Sequence, residues 1–243
     1  MGEKHRTPGG RIADLYDNLA KQTHVLIAGR TGSGKSVVIN GIIHSQLCQH
    51  ASGKTQLILI DPKRVELVQW ANTPHCIAYA SEPADRIRAL KLAVTLIEDR
   101  YTEMQAAHER KYTGGHVYVI IDELADLLTT QKAAVLPLLQ RIGQIGRAAN
   151  VHLIVATQCP TAQVLSTQLR CNFDAILGLR TRSAQDSRNI VGCTGCEQLP
   201  MYGKGYYVRP GDEGVVNLPM IPPEDLRKLE IYWSDRRNYL VSQ

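Results

Sequence analysis

The chain has 243 residues, 44% of them apolar, and a net charge of +5 at neutral pH. At roughly 100–200 residues per domain this is one large domain, or one domain with appendages, and the apolar share excludes a disordered chain. No apolar run approaches the roughly 18 residues of a membrane span, and the opening MGEKHRTPGG has no apolar signal core, so the expectation is a cytoplasmic protein. The mildly basic balance permits a nucleic-acid partner without requiring one.

In chain order, short apolar runs rich in β-branched residues alternate with longer helical patterns. Strands are predicted over His24–Ala28, Gln56–Ile60, Val117–Ile121, Val151–Ala156 and Ala175–Leu179. Near-continuous apolar strands separated by helices imply an α/β fold, with a mostly parallel central sheet flanked by helices on both faces. After Lys35, the positions Val38, Ile39, Ile42, Ile43 and Leu47 repeat at helical spacing. A second stripe runs Ile87, Leu90, Val94, Ile97, Tyr101 and Met104, with Ser81 placed to cap it and Pro83 in its first turn. A third comprises Val135, Leu138, Leu139, Ile142 and Ile145. Gly203–Val208 and Gly214–Leu218 read as a late β-hairpin, and Pro222-Pro223 opens a last short helix carrying Leu226, Leu229 and Trp233.

Six cysteines stand at 48, 76, 159, 171, 193 and 196. Their scatter in and beside apolar runs suggests reduced thiols. Cys193-Thr-Gly-Cys196 has the spacing of a redox pair or half a zinc site, but no second pair completes four ligands.

Gly29-Arg30-Thr31-Gly32-Ser33-Gly34-Lys35-Ser36 fits the phosphate-binding pattern G-x-x-x-x-G-K-[ST], between a predicted strand and a predicted helix, as that motif requires. The glycines let the backbone wrap a phosphate and turn its N–H groups inward, and the following helix, from Lys35, Ser36 and Val37 onward, adds its positive end. Lys35 is expected to reach the β- and γ-phosphates of ATP, and the Ser36 hydroxyl to sit on Mg²⁺.

Val117–Ile121 runs into Asp122-Glu123, a strand ending in two acids. Beside a phosphate loop this assigns Asp122 to Mg²⁺ and Glu123 to the attacking water, two separate tasks that phosphoryl transfer needs. The other reading is an N-cap for the helix starting at Leu124. Gln56–Ile60 ends in Asp61-Pro-Lys63, and Val151–Ala156 ends in Thr157-Gln158, where an amide can bond the water or the γ-phosphate. The arrangement is that of a RecA-like P-loop NTPase of the ASCE type, with an extra strand between the strands that carry the two motifs.

These residues resemble the FtsK/SpoIIIE family of DNA-pumping ATPases, from about Ile12 to Val208. The similar stretches are HVLIAGRTGSGKSVVIN, LILIDPKRVEL, VYVIIDELADLL, GQIGRAANVHLIVATQCP, RSAQDSRNIV and CEQLPMYGKGYYV. The resemblance implies a RecA-like fold, hexameric rings and translocation of double-stranded DNA through the central hole. The expected division is a motor over 25–221, with residues 1–24 as an extension packed on it and 222–243 as a helical tail. In such rings ATP lies between subunits, and an arginine from one completes the site of the next. Arg147 matches that arginine; Arg141 is an alternative, and a local salt bridge is the rival reading for Arg147.

Candidate DNA contacts are Arg110 and Lys111, then Arg170, Arg180, Arg182 and Arg188, expected to hold phosphates rather than read bases. Long family members carry membrane spans, a linker, a further small domain and a winged-helix DNA reader. This chain therefore reads as an excised motor core or a free-standing small motor. His108–His116 is shorter than the family's DNA-facing loop, and Cys159-Pro160 stands where the family has Arg-Pro. Rival functions are an engine for type VII protein secretion or conjugative coupling, and an ATP-binding assembly module with little turnover.

Overall fold

The computed structural model describes residues 22–50, 53–161 and 164–241. The predicted extension over 1–24 lies outside the described residues except for Gln22, Thr23 and His24.

The strands are β1 (His24–Ala28), β2 (Thr55–Ile60), β3 (Cys76–Ala80), β4 (His116–Ile121), β5 (Val151–Thr157), β6 (Ala175–Gly178), β7 (Lys204–Arg209) and β8 (Asp212–Asn217). They form one sheet in the order β3-β2-β4-β5-β1-β6-β7-β8. The first six in that row are parallel, and β7 and β8 add antiparallel. The expected mostly parallel sheet with a late hairpin is therefore present. The strand between β1 and β4 in space is β5, which puts Thr157 and Gln158 between the phosphate loop and the paired acids.

Alternate residues of each central strand enter opposite cores, as a two-residue side-chain period demands. On one face Leu26, Ile58, Val119 and Val155 pack with Leu90 and Ile97 of α2 (Pro83–Ala106) and Leu139 and Ile142 of α3 (Leu124–Ile145). On the other, Val25, Ile27, Leu59 and Ile154 meet Val38, Ile39, Ile42 and Leu47 of α1 (Lys35–Gln49). Short helices α4 (Thr167–Arg170) and α5 (Ala184–Val191) flank β6.

Three local expectations are corrected. The residue capping α2 is Glu82, with no side-chain cap bond; the Ser81 carbonyl instead accepts from Arg86 Nε at 2.7 Å. The hairpin turn is only Pro210-Gly211, with Gly211 at φ 81°, a left-handed conformation that glycine adopts without steric cost. The last helix is not short: α6 runs Pro223–Val241, and its Leu226, Leu229 and Trp233 pack on the core that holds α1, with Trp233 edge-on to His75 at 4.4 Å.

Candidate active site

The carboxyl ends of β1, β4 and β5 converge. In the register, Ala28 of β1 faces Thr157 of β5, and Ile121 of β4 faces Val155 of β5. Gly29 N–H donates to the Thr157 carbonyl at 3.3 Å and Arg30 N–H to the Arg180 carbonyl at 2.8 Å, which fixes the start of the phosphate loop. A Cβ on Gly29 would lie 2.7 Å from both Leu179 Cβ and Ser33 Oγ, so only glycine fits there. Gly34 caps α1 at φ 96° and offers no side-chain acceptor, leaving the first-turn N–H groups free of a side-chain cap.

Lys35 is buried and donates to the carbonyls of Gly29 and Arg30 at 2.9 and 3.0 Å, inside its own loop. Burial pulls its pKa down to about 8, against the pull of Glu123 and Asp122 toward the charged form. The Ser33 hydroxyl is buried without a hydrogen-bond partner among the described residues. Ser36 is the second residue of α1. A left-handed glycine cradle, an uncapped helix start and a lysine turned into the loop fit a nucleotide triphosphate.

Asp122 is buried, and its pKa rises to about 6, from burial first and then from Glu66 and Asp61, with Lys63 opposing. A buried carboxyl among other carboxylates is an environment a divalent cation relieves, which fits the assignment of Ser36 and Asp122 to Mg²⁺.

Glu123, also buried, fills the capping position that the sequence offered as one of its two readings. It caps α3, accepting from Ala125 N–H at 3.4 Å. The same Oε1 accepts from the Thr157 hydroxyl at 3.0 Å and from Gln158 N–H at 3.1 Å, while Oε2 lies 3.6 Å from Lys63 Nζ. Gln158 itself reaches the phosphate loop, where its side-chain oxygen accepts from Thr31 Oγ1 at 2.6 Å. Lys35, Asp122, Glu123 and Gln158 are thus brought to one place. Thr157, Lys63 and Glu66 belong to it as well and had no role in the sequence reading; the polar ends of the runs into Thr157 and Asp61-Pro-Lys63 were their only signal.

Arg147 is elsewhere. It lies four residues before β5, whose seven residues span about 23 Å at roughly 3.3 Å each. Its Nη2 pairs with Asp174 Oδ1 at 2.7 Å, its Nε donates to Thr23 Oγ1 at 3.2 Å, and its side chain is 71% exposed. The alternative, Arg141, pairs with Glu98 across α2 and α3 at 2.7 Å. The candidate DNA contacts divide between the two ends of the sheet. Arg180, Arg182 and Arg188 are near the phosphate loop, where Arg182 lines a cleft of about 130 Å³ with Gly29, Arg30 and Gln158. Arg110 and Lys111 border the same cavity as Arg147. Arg170 Nη1 is held by the Asn189 carbonyl at 3.1 Å.

Cys193 and Cys196 form a tight turn about Ser187, whose hydroxyl donates to the Cys193 carbonyl at 2.7 Å and accepts from Cys196 N–H at 3.1 Å. Both thiols are free, and among the described residues no cluster of three metal-binding side chains occurs. No described helix is long and apolar enough to cross a membrane.

The profile of the FtsK/SpoIIIE family matches residues 8–117 and 115–162. A DNA translocase FtsK of Staphylococcus aureus is 38% identical over 214 residues, 80% of this chain and 27% of the relative. One of Mycobacterium tuberculosis is 35% identical over 92% of this chain and 29% of the relative. The chain thus spans between a quarter and a third of the length of these curated relatives. Among solved structures, the pCW3 conjugation coupling protein TcpA with ATPγS superposes with a TM-score of 0.74 at 21% identity, covering 87% of this chain and 66% of TcpA. EssC (ATPases 2 and 3) of Geobacillus thermodenitrificans superposes with a TM-score of 0.78 at 13% identity, covering 90% of this chain and 45% of EssC. These two likenesses establish the shared fold.

Proposed function

The chain belongs to the FtsK/SpoIIIE family, and from that premise we propose that it is the motor domain of an ATP-driven double-stranded DNA translocase, hydrolysing ATP at the subunit interfaces of a hexameric ring. One observation carries the hydrolytic part. The carboxylate of Glu123 is fixed by Thr157 and Gln158 from the neighbouring strand, beside a lysine-bearing phosphate loop. A binding module has no need of an acid held so near the phosphates.

In this reading the loop amides and Lys35 hold the phosphates, and Ser36 and Asp122 hold Mg²⁺, which neutralises phosphate charge when bound. With Oε1 committed to three donors, Oε2 of Glu123 is the oxygen that takes the proton of the attacking water. Gln158, bonded to Thr31, links the phosphate loop to that carboxylate. Arg147, a strand length away from its own loop, serves the site of the adjacent subunit, with Asp174 and Thr23 orienting its guanidinium. Exposed Arg182 and Arg188 are the cations proposed to track DNA phosphates.

The test is Glu123→Gln. The account expects ATP to remain bound, turnover to fall by about 10²–10⁴ and DNA movement to stop. Turnover near the wild-type rate would refute it. A wild-type protein whose turnover is raised by a peptide and untouched by DNA would favour a secretion engine.

A further inference from the structure

A cavity of about 920 Å³ opens at the amino ends of the central strands, opposite the phosphate loop. Arg110, Lys111 and Arg147 border it together with His50, His116 and His152, and none of its described lining residues is a carboxylate. His116 and His152 are not its charge. His152 Nδ1–H donates to the Gln22 carbonyl at 3.1 Å, so its Nε2 accepts from His116 Nδ1–H at 2.8 Å, an arrangement of two neutral rings. Three cationic side chains from two loops border the cavity: Arg110 and Lys111, and Arg147, whose charge Asp174 partly balances from outside the lining.

Those two loops are bonded into one body. Tyr112 N–H donates to the Ala148 carbonyl at 2.8 Å, and Asn150 Nδ2 returns to the carbonyls of Tyr112 and Gly114 at 2.9 and 3.3 Å. Buried Arg100 lies over the Tyr112 ring, 4.4 Å from its centroid, and donates to the Ala149 carbonyl at 2.6 Å. Asn150 holds a left-handed backbone at φ 52° to make these bonds. Arg110 and Lys111 are exposed beside Tyr112, and Arg147 is exposed beside Ala148, so the three cations are carried by one rigid rim.

We propose that Arg110 and Lys111 act with Arg147 as a single cationic face that receives the phosphates of a nucleotide bound to a second copy of this chain. The inference rests on the shared-site reading above and extends it to two residues. A head-to-tail contact joins unlike ends of identical subunits, which is how a ring closes. Here the cationic end of one copy meets an end that carries Asp61, Glu66, Asp122 and Glu123 and, when loaded, a triphosphate. Arg110 and Lys111 border the cavity that holds Arg147, whereas Arg182 lines the cleft beside the phosphate loop at the other end of the sheet.

The test is complementation in full-length protein. The double variant Arg110→Ala/Lys111→Ala is expected to lose about ten- to a hundredfold in turnover, with DNA affinity unchanged, and Arg110→Lys/Lys111→Arg to keep it. Mixed with Glu123→Gln, which is inactive alone, the double variant regains turnover. Each of its intact sites can then sit against an intact rim, at about a quarter of the interfaces in a random equal mixture. Arg147→Ala mixed with Glu123→Gln is the control for a shared site. If Arg147→Ala is complemented and the double variant is not, the two residues do not act in trans and the inference fails. If neither is complemented, the shared-site reading fails and takes the inference with it. Wild-type turnover without DNA, coupled to weakened DNA binding, would make the rim a DNA contact instead.

Discussion

Thr157 donates its hydroxyl to Oε1 of Glu123 across 3.0 Å, tying the end of β5 to the acid that follows β4. The same hydroxyl accepts from Cys159 N–H at 3.2 Å, so it sets the chain direction at Gln158 as well as the angle of the carboxylate. Position 157 therefore holds the proposed base through its hydroxyl.

Thr157→Val keeps the shape and removes the donor. The loss is one hydrogen bond to a buried carboxylate, about 1–2 kcal/mol, or roughly five- to thirtyfold in kcat. KM for ATP should stay within about twofold, because the loop amides and Lys35 are untouched. Steady-state kinetics decide it, and an unchanged kcat would remove Thr157 from the account.

Much of this site could be read before the fold was known, since the phosphate loop, Asp122-Glu123 and Gln158 each sit where an apolar strand stops. What escaped did so for physical reasons. β3 is a short edge strand in which only Ala80 is buried, so Cys76-Ile-Ala-Tyr-Ala80 carries neither a continuous apolar run nor a clean alternation. Lys63 and Glu66 lie in a loop whose return to Glu123 and Asp122 depends on β2 lying beside β4. Charge, together with the family resemblance around Arg182 and Arg188, groups Arg110 and Lys111 with them in the sequence. Their separation comes from the strand direction, which sends the loops before β4 and β5 to one end of the sheet and those after β1 and β6 to the other.

Gly146 is a glycine for packing rather than for its dihedrals. At φ −62° it is helical, but a Cβ would lie 2.6 Å from the carbonyl oxygens of both Ile142 and Val151. Gly146→Ala should destabilise the protein by about 1–3 kcal/mol and displace Arg147 next to it. Urea denaturation and turnover should both register the change. A variant as stable as wild type would mean that the turn at 146–150 relaxes freely.

Acid should destabilise the fold through two buried histidines. Burial lowers His24 to about 4 and His152 to about 3. A base whose folded pKa lies below its unfolded value of about 6.5 binds more protons when unfolded, so stability is full above that value and is lost as pH falls toward the folded pKa. For His24 alone the loss is on the order of 3 kcal/mol. Asp122, raised to about 6, works in the opposite direction and offsets part of it. Urea midpoints should drop between pH 7 and pH 5, more steeply in wild type than in His24→Asn/His152→Asn. Parallel slopes would exclude the histidines as the cause.

Arg188 is exposed on α5, at the phosphate-loop end of the sheet. If it holds a DNA phosphate, Arg188→Ala should weaken binding alike for unrelated duplex sequences and reduce the salt slope of log K by about 1. Salt titrations on two unrelated duplexes check both effects. A changed sequence preference with an unchanged slope would contradict phosphate tracking.

The proposed site is shared between copies and driven by DNA. Its most direct measurement is ATP turnover per subunit against protein concentration, with and without linear duplex DNA. The account predicts a rate that rises with concentration as rings assemble and is raised further by DNA at every concentration where rings form. A rate per subunit independent of concentration and indifferent to DNA would contradict both the shared site and the motor.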